Sequence, residues 1–141
     1  MIDIGDASSV EIIDFLNELL EAERAGARVA LDSAREATPG PLTGLLQNIR
    51  HDEARWCAML LGQISRIGGE PSPRMGAFHA KAMAIEDLRE RLVFLNRGQG
   101  WVVRKLREMV PRVRDQELYA DLAHMLSSHV ANISLTNAAI G

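Results

Sequence analysis

The sequence predicts an all-α protein, one domain of four long helices. Three observations carry this. Ala, Leu, Glu and Arg are abundant while aromatic residues make up only 4 %, a composition that leans toward helix. Apolar residues recur at intervals of three and four over long stretches, as one face of a helix demands. No stretch shows the two-residue alternation of a strand. The 141 residues suffice for one core.

Each helix has its own signature. Ser8 and Glu11 have capping-box spacing, and Ile12, Leu16, Leu19, Leu20, Ala27, Ala30 and Ala34 form the stripe of a first helix at about residues 9–38, closed by Pro39, Gly40 and Pro41. A second helix, about 42–67, carries Leu46, Ile49, Trp56, Leu60, Ile64 and Ile67 and stops at Gly68 and Gly69, with Pro71 and Pro73 preventing its resumption. A third, about 85–110, carries Leu88, Leu92, Leu95, Val102, Val103 and Leu106, with Pro111 at its end. A fourth, about 116–140, carries Leu118, Leu122, Met125, Ile133 and Ile140. Two connections are short. The one between the second and third helices, residues 68–84, is long; extended, it spans about 56 Å, enough to return along a whole helix. Residues 77–84 within it are expected to form a short helix. Two hairpins joined by a crossover is the expected topology.

Each apolar stripe is interrupted near its middle by one polar residue: Glu23, Glu53, Gln99 and His129 in chain order. In a bundle of equal helices the midpoints share a layer, so four polar side chains converge. Glu23 and Gln99 are 76 positions apart, as are Glu53 and His129, and the same shift pairs Leu16 with Leu92, Leu19 with Leu95 and Leu46 with Leu122, the pattern of a duplicated hairpin. A buried carboxylate must be neutralised, hydrogen-bonded or metal-bound. Two readings are open: a hydrogen-bonded polar layer that fixes helix register, or a cation held by Glu and His, ordinary ligands for iron, manganese and zinc.

The stretches LNELLEAERAGA, with Glu23, and EARWCAMLLGQISRIGGEPS, opening on Glu53, resemble the first two helices of the ferritin-like superfamily, the group of bacterioferritin and rubrerythrin; the likeness runs over about residues 10–140. It implies a four-helix bundle whose di-iron members use a Glu from each of two helices and Glu-x-x-His from each of the other two. Position by position, Glu23 matches the first Glu and Glu53 the Glu of the first Glu-x-x-His, whose His is here Trp56. Gln99 stands in place of the second lone Glu, His129 in place of the second motif's Glu, and Asn132 in place of its His. Two ligands of six remain and one His is gained. A full di-iron centre is therefore not expected; what remains is compatible with a single divalent ion on Glu23, Glu53 and His129, with Gln99 as a weak fourth ligand, and equally with a bundle that has lost its metal. The alternative is a non-enzymatic structural or interaction module with a metal-free core.

Other residues carry lesser expectations. His51 is read as an exposed or edge residue and His124 as lying on the stripe edge, with an Asp121-x-x-His124 register as a minor alternative that breaks the 76-residue shift; His79 is unassigned. Arg28 and Arg104 fall off the polar face, as surface ion-pairing residues. Gly98 and Gly100 are costly inside a helix, which suggests close approach of another helix, as across a homodimer contact. Cys57, the single cysteine, forms no intrachain disulfide and is read as a small buried thiol, which fits a reducing, cytoplasmic setting. No signal peptide and no membrane span is expected. Net charge is −3, against nucleic-acid binding; the basic residues Arg97, Arg104, Lys105, Arg107, Arg112 and Arg114 are a solvated face or ion-pair partners before they are a phosphate site.

Overall fold

A computed structural model describes residues 8–141 and, among them, contains helices and no strand. The helices are α1 (Ser9–Ala37), α2 (Thr43–Arg66), α3 (Phe78–Met83), α4 (Leu88–Met109) and α5 (Gln116–Ile140), with a 3-10 turn at Val110–Arg112. Residues 1–7, where the expected single domain begins and a signal peptide was judged absent, lie outside the described residues.

The ends follow from capping chemistry. Ser8 Oγ accepts from the Glu11 amide at 3.1 Å, the half of the capping box that satisfies an orphan helix donor. The reciprocal half is replaced: the Glu11 carboxylate pairs with Arg112 at 2.7 Å. At the end of α2, Gly68 adopts φ +83°, its amide bonds to Ser65 O at 3.1 Å, and the Gly69 amide reaches Ile64 O at 2.8 Å. Those two bonds are a complete Schellman stop, and a left-handed residue is what makes glycine the fit. α4 starts three residues later than the periodicity predicts. Asp87 caps it, accepting from the Glu90 amide at 2.9 Å, while the Ile85 carbonyl is taken by the buried Arg91 guanidinium. Asp115 likewise caps α5, accepting from the Leu118 amide at 3.0 Å.

α1 packs along α2 and α4 along α5; the two hairpins meet through α1 with α4 and α2 with α5. The long connection crosses between them and lays α3 on α1 and α4. It is tied down at both ends. Asn17 grips it through Glu70 O and the Ser72 amide, and His79 Nε2 lies 2.9 Å from Asp32 Oδ2. The architecture is an all-α bundle of two hairpins and a crossover.

The apolar core falls into two clusters. One gathers Ile12, Leu16, Leu19 and Leu20 with Trp56, Leu60, Val102, Leu106, Leu122 and Met125. The other gathers Val29, Ala30 and Ala34 with Leu46, Ile49, Leu92 and Leu95. On α1, α2 and α4 the division falls at Glu23, Glu53 and Gln99, and on α5 His129 follows the last member of the first cluster, Met125. Burial energy is thus concentrated on either side of a polar layer.

The close-approach expectation for the two α4 glycines divides. A Cβ on Gly98 would lie 2.9 Å from the Phe78 ring, so the neighbour is the chain's own crossover helix rather than a second subunit. Around Gly100 the nearest atom is an Arg104 guanidinium nitrogen at 3.9 Å, so no described helix approaches there. No described helix is long and apolar enough to cross a membrane.

Candidate metal centre

Glu23, Glu53, Gln99 and His129 are all buried, at 1 %, 4 %, 4 % and 1 % exposure. One ligand atom from each of Glu23, Glu53 and His129 lies within 4.8 Å of the others. Gln99 joins Glu23 and Glu53 in the wall of an adjoining cavity. The sequence-predicted convergence is therefore present, with three helices supplying the compact trio and the fourth supplying an amide at its side.

The electrostatics turn on His129. Its Nδ1 lies 3.0 Å from Met125 O, one helical turn back. A carbonyl only accepts, so Nδ1 is the protonated nitrogen and Nε2 is turned into the layer. There Nε2 stands 2.6 Å from Glu23 Oε1, yet neither atom has an aligned hydrogen bond, and Glu53 Oε2 has none either. A neutral imidazole would set a lone pair against a carboxylate oxygen at that distance. A proton or a metal ion must therefore lie between them, the proton held either on Nε2 or on Oε1 of a neutral Glu23. A proton balances one carboxylate and leaves the other; among the described residues no lysine or arginine forms an ion pair with Glu23 or Glu53. A divalent ion balances both. The donor set fits such an ion: two carboxylates and an imidazole oriented by a backbone carbonyl.

The surroundings oppose an unbalanced negative charge on Glu23. Burial raises the Glu23 carboxyl above the usual carboxylate range, more than His129 pulls it down. Burial alone would lower the His129 imidazole, but the Glu23 charge, contact with Glu23 and Met125, and nearby Asp52 together hold it above its ordinary value. Asp52 is anchored in turn by the Asn132 amide at 2.8 Å. Asn132, read as the replacement of a ligand, thus serves as a tie between α5 and α2.

Trp56 is buried beside the layer and adds no ligand to it. Its ring lies 6.5 Å from that of His129 and edge-on to His124 at 5.2 Å, with the Arg55 guanidinium 4.4 Å over its face. An indole nitrogen has no lone pair to give a metal. His51 and His124 are exposed. Asp121 is spent on the Gln63 amide at 2.7 Å, so the alternative Asp121–His124 register forms no site. Cys57 borders the core only partly buried, its thiol pushed up by burial to about 11, which keeps it protonated and unreactive. Arg28 pairs with Asp32 at 3.2 Å, as a surface residue. Of the basic stretch, Lys105 and Arg112 reach Glu18 and Glu11 on α1, while Arg97, Arg104 and Arg107 are exposed.

Two residues of the site carry no mark in the polar pattern. A Cβ on Gly26 would fall 2.9 Å from the Glu53 carboxylate, so this glycine makes room for the acid. Phe78, from the crossover, lines the cavity together with Gln99. Gly26 did leave a signal: a glycine three residues after Glu23 inside a helix, at a cost of about 1 kcal/mol against Ala.

The structure thus defines an all-α bundle with a buried cluster of two acids and an imidazole. The chain belongs to the family described as "Domain of unknown function (DUF6306)", whose model matches residues 10–138. No curated protein and no solved structure matches it.

Proposed function

We propose that the chain is a ferritin-like bundle holding one divalent metal ion, iron, manganese or zinc, on Glu23, Glu53 and His129, with Gln99 beside it. The observation that carries this is the trio of buried donor atoms from three helices, within 4.8 Å of one another and lacking aligned hydrogen bonds. Three protein donors leave such an ion open coordination positions, and when bound it would act as a Lewis acid toward an incoming oxygen. Elemental analysis of protein purified without chelator, followed by zinc titration, tests the reading. The expected result is close to one ion per chain, with affinity lowered more than ~100-fold in Glu53→Ala, beyond the ~10–100-fold typical of losing a ligand's supporting contact. No uptake, or uptake indifferent to Glu53, defeats it.

The 2.6 Å approach of Glu23 to His129 supports a second reading, a structural module in which an imidazolium–carboxylate pair fixes helix register without an ion. It predicts that zinc leaves the melting temperature unchanged and that an all-apolar replacement of the layer still folds. Homodimer formation belongs to the proposal as well. α5 has no Asp, Glu, Lys or Arg after Asp121 and leaves Val130 and Leu135 exposed at 42 % and 62 %. A sedimentation mass of one chain at high concentration removes that part.

A further inference from the structure

Against the polar layer lies a cavity of about 260 Å³, opening to the surface between α1, α4 and the crossover. Its walls are almost wholly apolar: Ala22, Phe78, Leu95, Trp101 and Val102, with the glycines Gly26 and Gly98. Polar groups enter only at Glu23, Glu53 and Gln99. Gln99 is 4 % exposed, and its Nε2 has no acceptor, although a side-chain amide carries two N–H donors. An unpaired buried donor costs on the order of 1–3 kcal/mol, and the cavity it lines is where an acceptor can enter.

We infer that this cavity binds a small neutral molecule with an apolar body and one oxygen at its end: an alcohol, aldehyde or ketone. Size sets the body. A dry apolar cavity of ~150 Å³ holds benzene, so this one takes roughly ten non-hydrogen atoms on the same scale. Charge sets the tip. A carboxylate ligand would meet Glu23 and Glu53, and a cationic one would compete with the proposed metal for the same two charges. A neutral oxygen accepts from Gln99 Nε2. It also offers a lone pair to the ion, and for that second contact the inference rests on the metal reading above.

Three probes sharing one ring separate these features: benzyl alcohol, toluene (no oxygen) and benzoate (charged). Each is titrated by NMR into zinc-treated and metal-free protein, with the zinc content of the same samples measured separately. Benzyl alcohol is expected to bind at least tenfold more tightly than toluene or benzoate. Gln99→Leu is expected to erase the preference over toluene. Ala22→Leu, at a half-buried wall position, is expected to weaken benzyl alcohol and toluene alike by tenfold or more while zinc content stays unchanged. Benzyl alcohol that shows no saturable shift, or that binds no better than toluene in either form, or whose preference survives Gln99→Leu, overturns the inference. A sample without zinc refutes the metal reading on its own readout; a Gln99-dependent preference in that sample would still uphold the cavity.

Discussion

The two hairpins are built to the same plan and charged differently. At positions 76 residues apart, α1 and α2 present Glu23 and Glu53, while α4 and α5 present Gln99 and His129. The shift also pairs Gly26 with Val102 and Trp56 with Asn132. Where the first hairpin thins its wall to seat the Glu53 carboxylate, the second fills it with a buried valine. One hairpin thus supplies formal negative charge, and the other supplies an imidazole lone pair and an amide donor. Four carboxylates in that volume would call for two metal ions; two carboxylates balance one divalent ion. Under the metal reading, that asymmetry limits the layer to a single ion.

Making the hairpins alike gives the largest expected effect. Gln99→Glu places in α4 the acid that α1 already has. Without metal, a third buried carboxylate beside Glu23 and Glu53 has no cation to balance it, and destabilisation of about 3 kcal/mol follows, the scale of an uncompensated buried charge. Saturating zinc recovers most of that loss. Urea denaturation with and without zinc measures both; a variant as stable as wild type in chelator would show that the layer is wetter or less charged than its geometry implies. The opposite change, Glu53→Leu, relieves an acid that lacks a partner at Oε2. Metal-free protein should gain about 1–2 kcal/mol, in line with apolar replacement of buried ionic groups, and zinc should lose its stabilising effect. Metal-free protein that is instead weakened by the change would mean that Glu53 holds the layer together without an ion.

The sequence disclosed the bundle better than the chemistry beside it. Four long stripes, a seventeen-residue connection and four midpoint interruptions are local, periodic signals, and they suffice to place Glu23, Glu53, Gln99 and His129 in one layer. The apolar period places the start of α4 too early because Ile85 continues it, while Asp87, three before Glu90, carries the cap from which the helix starts. Capping-box spacing ties Glu11 to its own helix end, but its carboxylate reaches Arg112, 101 residues away, a partner that no local spacing predicts. The cavity has no sequence signature either: it arises where Phe78 settles over Gly98, a contact between crossover and bundle. His79 was unreadable for the same reason, since its partner Asp32 lies on α1.

Gly26 gives a smaller and more selective effect. Gly26→Ala restores helix propensity worth about 1 kcal/mol but drives a methyl group to 2.9 Å from the Glu53 carboxylate. The two terms oppose each other in stability, so the urea midpoint should move little. The displaced carboxylate should weaken zinc by about tenfold, the low end of what disturbing a ligand's support costs. Val102→Ala, the same position of the other hairpin, is the control: it should cost stability and leave zinc affinity within about twofold, because Val102 carries no ligand atom. Equal zinc affinities for Gly26→Ala and wild type would remove Glu53 from the centre.

The smallest effect concerns the strap between the hairpins. Asp32 accepts from His79 at 2.9 Å and pairs with Arg28 at 3.2 Å, and its carboxyl is held below the usual range, first by the His79 contact and then by Arg28, against the opposing effect of burial. A lowered folded pKa means that the unfolded chain binds this proton more readily. The contribution is therefore complete above the ordinary Asp range and is lost as pH falls through the folded value. Asp32→Asn removes it, at a cost below about 1 kcal/mol for a pair this close to solvent. The difference between wild type and variant should be largest at neutral pH and vanish in acid, and limited proteolysis should cut the crossover faster in the variant at neutral pH only. Because Phe78 rides on the same short helix as His79, loosening the strap should also weaken benzyl alcohol while leaving zinc uptake intact. A variant whose stability deficit is the same at every pH would mean that the Asp32 charge does not anchor the strap.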